Sequence, residues 1–460
     1  MKVLAYILAL CACISYINAL ADNCDVSDSD KIDCGHMGTN QQECEAANCC
    51  WGPVDPNPNN LPWCFYGSDH PDSCKEFLWE ADGPGFTREF YDTMFENYRA
   101  NLNVEDCGAV VAAPDKNTPG GSYYYHWMRD AGLSIKSWMD LNDNDYNLVK
   151  EVLEGYVHWV GVVQQKDDPN NIDVRIEPKF EIPSGDPYTG GWCRPQTDGP
   201  ALRGMALSKW GFILADEGQI DAARNDVWPK IKFDMEWVTA NWDSEGCDLW
   251  EEVRSRDFFW NRMGFVYSLN VAADFADRIG DNSMLAQQYR DKAAEILESA
   301  KGHWNGEFIY ETMDAGRQQD GSVIHAIATF GEYLYGPSSN EAAATIATYA
   351  KTFCREYKIN QDDNNNGEPG VLIGRYPGDS YAGGNPWQLL TAVLAETFYL
   401  GAQSTFKSIK GNAGLDYTID VNENQNWIKL LDPMNGKILT IHFTYENIYI
   451  YDVKLTKISV

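Results

Sequence analysis

Apolar residues recur at i, i+3 and i+4 through most of the middle of the chain. The pattern predicts helices over 86–103, 131–141, 146–165, 199–217, 220–241, 257–278 and 283–304, and again over 322–335, 341–357 and 386–402. Strand-like alternation is scarce until 438–460. Connections between helices are alternately short and long, and the long ones gather Gly, Trp, Asp and Arg. A two-layered helical barrel has this texture, with its function in the long loops.

The amino-terminal part reads differently. Lys2, an apolar run over 3–14 and small residues at Ala19 and Ala21 have the form of a secretory signal, assigned to 1–21. The run is too short to span a membrane, and no later stretch reaches ~18 consecutive apolar residues. The mature protein is expected to be soluble, secreted or in the lumen of a lysosome- or vacuole-like compartment, without a membrane partner. No Asn-x-Ser/Thr site with a permitted middle residue occurs, so no N-glycan is expected. Cys24, Cys34, Cys44, Cys49, Cys50 and Cys64 crowd the next segment, which is too short to bury a sufficient core without disulfides. Their spacing lacks the paired C-x-x-C units of a metal site, and sequence alone leaves their connectivity open.

Composition narrows the function. Aromatics make up 13% of the 460 residues, with 16 Trp and 25 Tyr, which suits a large core or a surface that stacks on sugar rings. The formal net charge of −32 repels phosphate backbones, so nucleic acid is excluded as a partner. A neutral polymer is not repelled. The seven His do not cluster, and neither H-E-x-x-H nor a P-loop is present. The loop starting at Asp362 resembles a calcium loop only until Ile373, which stands where a bidentate Glu is needed. No cofactor or metal is implied.

The chemistry concentrates in Cys247-Asp248-Leu249-Trp250-Glu251-Glu252-Val253. Three carboxylates flank one indole, no lysine lies among them, and Arg254 follows. Like-charge crowding and burial against an indole favour protonated carboxyls, and a protonated carboxyl is a general acid. Three other loops combine aromatics with Asp and Arg: Tyr123 to Asp130, Tyr188 to Arg203, and Gly374 to Trp387. A sugar hydroxyl both donates and accepts, so Asp beside Arg suits it, while its C–H face packs on Trp or Tyr.

In order, the Tyr-x-Tyr-x-Trp-x-Arg-Asp, Trp-x-Arg-Pro-Gln-x-Asp-Gly-Pro-Ala-Leu-Arg, Asp-Leu-Trp-Glu-Glu-Val and Gly-Arg-Tyr-Pro…Gly-Asn-Pro-Trp elements resemble glycoside hydrolase family 15, the glucoamylases. The resemblance spans roughly 85–405. It implies an all-α (α/α)6 barrel that releases glucose from non-reducing ends of α-1,4-glucans with inversion, an α-glucan being its partner. Carried over, Glu251 is the general acid, positioned by Asp248 and Trp250. Glu252 is a ligand of sugar hydroxyls. Arg129 and Asp130 grip the terminal glucose near Tyr123, Trp192 packs along the bound chain, and Arg375 is a second clamp. Cys193 stands where the family has Gly, Thr197 replaces a basic residue and Gly378 an acidic one. Cys193 and Cys247 are placed to pair. Five Cys outside the first module leave one odd. That module, 22–68, resembles a trefoil (P-type) domain, whose pairing implies Cys24–Cys50, Cys34–Cys49 and Cys44–Cys64. A linker over 69–85, a catalytic domain over 86–406 and an atypical tail over 407–460 complete the expected organisation.

Inversion needs an acid and a base ~6.5–9.5 Å apart. In the family the base lies in a Ser-Glu-Gln-like loop ahead of an Ala-Arg-Asp-Leu-Thr-Trp-Ser-Tyr helix, and neither motif follows here. The barrel is therefore expected to be incomplete at its carboxyl end. Glu423 and Glu446 have no recognisable context. The alternatives to hydrolysis are a glucan-binding protein without turnover, and a trefoil-bearing structural protein.

Overall fold

The computed structural model describes residues 88–117, 121–366 and 371–411, parts of 24–65, and the short segments 441–443 and 448–450. The expected signal, the linker, Cys34, Cys74, Glu423, Glu446 and most of the tail lie outside the described residues.

The chain forms two units, 1–94 and 95–460. In the first, helix α1 (Gln41–Ala46) precedes strands β1 (Cys50–Trp51) and β2 (Cys64–Phe65), which pair antiparallel. Disulfides Cys24–Cys50 and Cys44–Cys64 staple it, as the trefoil resemblance implies. Cys49 is also disulfide-bonded. Cys44, Cys49 and Cys64, with Trp51 against them, are the small core that the sulfurs replace.

The second unit is helical. Helix α2 (Arg88–Arg99) straddles the division and is followed by α3 (Met128–Leu141), α4 (Tyr146–Val163), α5 (Gly199–Asp216) and α6 (Trp228–Asn241). Then come α7 (Phe259–Arg278), α8 (Ser283–Lys301), α9 (Gly321–Phe330), α10 (Asn340–Glu356), α11 (Lys358–Asn366) and α12 (Gln388–Gly411). Helix α3 packs on α5, α5 on α7, α7 on α9 and α9 on α12, so these form an inner layer. Helix α6 packs behind α5, α8 behind α7 and α10 behind α9.

Burial separates the layers as helix physics requires. Helix α5 is buried on all sides, from Gly199 through Leu214, because it has neighbours on every face. Helix α8 buries only Ala286, Tyr289, Ala293, Ile296 and Ala300, one stripe with alternating steps of three and four residues. Arg203 on α5 and Asp234 on α6 pair at 2.5 Å with almost no exposure, tying an inner helix to an outer one. Caps agree with the starts: Asp145, Asn282, Asp320 and Ser339 each accept from a backbone N–H of the first turn.

Two predicted helices change. The 220–241 helix is interrupted by a widened turn at Ala223–Val227 before Pro229, whose missing N–H breaks the ladder. The 322–335 helix stops at Phe330, where a Cβ on Gly331 would lie 2.4 Å from the Ile327 carbonyl. Residues 358–366, which include the start of the calcium-like loop at Asp362, are helical. In the tail, β7 (Ile441–Phe443) and β8 (Ile448–Ile450) pair antiparallel.

Candidate active site

The long loops all lead into the amino ends of inner helices, so the four clusters meet at one end of the inner layer. Antiparallel pairs β3 (His126–Trp127) with β4 (Lys179–Phe180), and β5 (Gly246–Cys247) with β6 (Arg254–Ser255), brace them. Helix amino ends are electropositive and favour carboxylates.

Asp248 organises its own loop. Its Oδ1 accepts from the backbone N–H groups of Glu252 (2.7 Å) and Val253 (2.9 Å), while its backbone N donates to the Val253 carbonyl. The loop closes tightly enough to put Glu251 at φ 67°, a region that costs a non-glycine residue about 1–2 kcal/mol. Burial raises the Asp248 pKa, and the two backbone donors oppose that.

The turn sends Glu251 and Glu252 to different partners. Glu251 Oε1 accepts from the Trp127 indole at 2.7 Å and the Gln196 amide at 2.8 Å, with Arg129 Nη2 at 3.5 Å. Its Oε2 has no hydrogen bond among the described residues. Three N–H donors converge on Oε1, so Oε2 is the oxygen left open. Glu252 is engaged on both oxygens: Arg375 reaches Oε1 at 2.8 Å, and Arg317 and Tyr376 reach Oε2 at 2.6 and 2.5 Å. Burial would raise its pKa, but the hydrogen bonds from Tyr376, Arg317 and Arg375 outweigh it and hold Glu252 below the ordinary value. This corrects the expectation from crowding. Arg254, the nearest base in sequence, pairs with Glu245 instead, at 2.8 Å.

Arg129 is buried and also binds Asp198 (3.0 Å), which accepts from Trp260 as well. Asp130 follows in the first turn of α3, partly exposed. Burial raises its pKa to about 6; Arg129 opposes and Glu251 adds to the rise. Trp250 donates to Asp320 at 2.8 Å and meets Trp387 edge-on at 5.5 Å. Arg375 is fixed by Asp379 through both carboxylate oxygens. Tyr123 stacks on Trp127 at 5.7 Å, and its hydroxyl meets that of Tyr381 at 3.1 Å.

Trp192 reveals a residue that sequence reasoning missed. Lys179 Nζ lies 3.6 Å from its ring centroid, 3.9 Å from Tyr188 and 4.5 Å from both Tyr125 and Trp127. Such a desolvated cation–π cage is worth ~2 kcal/mol. Burial lowers the Lys179 pKa to about 8, partly offset by Glu251. Arg317, Gln196, Tyr376 and Asp320 were missed as well. Gln196 and Tyr376 lie inside the quoted motifs without a role assigned to them, whereas no local pattern marks Arg317 and Asp320, which meet their partners across a long loop.

The departures have local reasons. Gly378 adopts φ 76°, which favours glycine, and donates to Glu356. Thr197 is buried, accepts from Asn261 at 2.7 Å and lies where a Cβ on Gly246 would be 3.0 Å away. Cys193 and Cys247 are joined in a disulfide. Cys107 and Cys354 are both free, where one odd thiol was expected. No group of His, Cys, Asp and Glu among the described residues is arranged to hold a metal.

Residues 94–442 match the family model of glycosyl hydrolases family 15. The chain belongs to glycosyl hydrolases family 15. Residues 24–67 match the trefoil (P-type) domain. Glucoamylase-1 of Schizophyllum commune is 32% identical over 305 residues, 64% of this chain and 51% of its own length. Glucoamylase P of Amorphotheca resinae is 33% identical over 311 residues, 64% of this chain and 48% of its own. The chain thus spans about half the length of these relatives. Among solved structures, the Hormoconis resinae glucoamylase superposes with a TM-score of 0.65 and 28% identity, over 74% of this chain and 59% of that one. The family 15 glucoamylase of Hypocrea jecorina gives 0.65 and 26%, over 75% and 60%. The fold is accordingly all-α, of the (α/α)6-barrel type, preceded by a disulfide-rich trefoil module.

Proposed function

We propose that this chain is a secreted, exo-acting glucan 1,4-alpha-glucosidase that releases glucose from starch- or glycogen-like polysaccharide by inverting hydrolysis. Glu251 is its general acid. The observation that carries this is the asymmetry of that carboxyl, with Oε1 held by three donors and Oε2 free. Oε2 is the oxygen left to meet a glycosidic oxygen. Asp248 positions the acid, and Trp250 is oriented by Asp320. Glu252, ionised between Arg317 and Arg375, accepts from sugar hydroxyls. Arg129, Asp130 and Tyr123 form the wall around the terminal glucose, and Trp192 the platform beyond it. The Cys193–Cys247 disulfide supports an oxidising, extracellular or lumenal location, and no helix among the described residues is long and apolar enough to cross a membrane.

A second reading, glucan binding without turnover, rests on the other carboxylates. Glu252, Asp198 and Asp379 are each engaged by arginine, so none of these is free to activate water. Glucose release from maltotriose by the full chain, beside Glu251→Gln, separates the two. Release abolished by the substitution establishes hydrolysis. Binding of maltotriose by both proteins, with release by neither, establishes the second reading.

A further inference from the structure

We propose that the Cys193–Cys247 disulfide is a positioning device for the site, holding Gln196 against Glu251 and Trp192 in place. The assignment of its catalytic effect rests on the glucosidase reading above. Cys193 lies between Trp192 and Arg194, and Cys247 immediately precedes Asp248, so the bond joins the segment carrying the indole and the amide to the loop carrying the carboxylates. The Gln196 amide donates to the Cys193 carbonyl at 3.2 Å and to Glu251 Oε1 at 2.8 Å. Its two protons therefore connect the anchored cysteine to the reacting carboxyl. The Cys247 backbone N donates to the Pro195 carbonyl at 2.8 Å, and Arg254 donates to the Arg194 carbonyl, which completes the junction.

The fold does not depend on this bond alone. The 54-residue span between the sulfurs contains α5 and α6, which are held by the Arg203–Asp234 pair and by their shared apolar core. Without the bond the segment 188–196 keeps the Arg194–Glu177 pair at 2.6 Å and the backbone hydrogen bonds from Tyr188 and Gln196, but loses its covalent tie to the carboxylate loop, while those helices stay. A cross-link between two loops then acts on catalysis by orientation, where small displacements cost large factors in rate. Cys247 is buried but Cys193 is partly exposed, so a dithiol reaches the bond from the Cys193 side. Attack by a thiolate and closure of the reagent's own disulfide deliver two electrons, leaving two protein thiols and one oxidised reagent.

The test compares the oxidised chain, the chain reduced with dithiothreitol and alkylated, and Cys193→Ser/Cys247→Ser, each with and without Gln196→Ala. Amide exchange is followed over 188–196 and 247–253. Expected is a rise of at least tenfold in exchange there without the bond, with α5 and α6 unchanged. On maltotriose, kcat falls about tenfold or more, and Gln196→Ala costs far less in the bond-free protein than in the parent, because both act through one path. Unchanged exchange overturns the proposal, whether or not the parent is active. Additive losses from Gln196→Ala and bond removal also overturn it and leave the glucosidase reading standing. A parent that releases no glucose sinks the glucosidase reading, and the exchange result then decides the positioning role by itself.

Discussion

The Trp127 indole donates to Glu251 Oε1 at 2.7 Å from a residue 124 positions earlier in the chain. Together with Gln196 it leaves one carboxyl oxygen for chemistry. Trp127→Phe keeps the ring against Tyr123 and Lys179 but deletes the donor. A hydrogen bond to a charged group is worth ~1.5–3 kcal/mol, so kcat on maltotriose should fall ~10- to 100-fold with KM little changed.

On the proposal that Glu251 is the general acid, Glu251→Gln removes the transferable proton and keeps the volume. General acid catalysis contributes ~10²–10⁴-fold. Steady-state glucose release should drop by that factor, while maltotriose affinity by calorimetry changes little.

Asp130 carries a pKa raised to about 6 by burial, against an ordinary 3.8. Its ionised form is disfavoured in the fold, so it costs stability progressively as pH rises from 3.8 to about 6. Asp130→Asn should therefore raise stability at pH 7 by roughly 1–3 kcal/mol in urea unfolding. The same change should weaken maltotriose binding about tenfold at pH 7 and remove the parent's loss of affinity below pH 6, if the ionised carboxylate grips the sugar. Binding indifferent to the substitution would contradict that assignment.

Lys179 loses its proton near pH 8, below the ordinary lysine value of 10.5, because burial disfavours its charge. Its contribution to stability consequently grows as pH rises between those values. Tryptophan emission should change with a midpoint near pH 8 as the cation leaves the Trp192 and Trp127 faces. Lys179→Met should abolish that transition.

Arg203 and Asp234 lie fully buried across α5 and α6. Asp234→Ala strands an arginine in the core and should cost about 3–5 kcal/mol in urea unfolding. Replacing both by apolar residues of similar volume should recover most of that loss.

Helices were legible because burial in each has a period. The stripe on α8 and the apolar run of α5 can be read from residue spacing, and Asp145, Asn282 and Ser339 mark starts through local hydrogen bonds. Pro229 and Gly331 break helices through which the apolar period continues, so the period alone misses both interruptions. The loop of three carboxylates was legible as a site, and its electrostatics were not. Crowding alone predicts raised pKa values throughout, whereas Arg317, Arg375 and Tyr376 arrive from distant loops and reverse the direction at Glu252.

The sequence by itself determined the helical periods, the cysteine-stapled module, the placing of Cys193 near Cys247 and the residue types at the site. These follow from local geometry and from motifs written over a few positions. Only the tertiary structure decided which oxygen of Glu251 is free, which arginines hold Glu252, and that four aromatic rings enclose Lys179. Those outcomes depend on side chains from separate loops meeting at the amino ends of packed helices. Charge and hydrogen-bond energies there are set by distance and burial, which no spacing along the chain encodes.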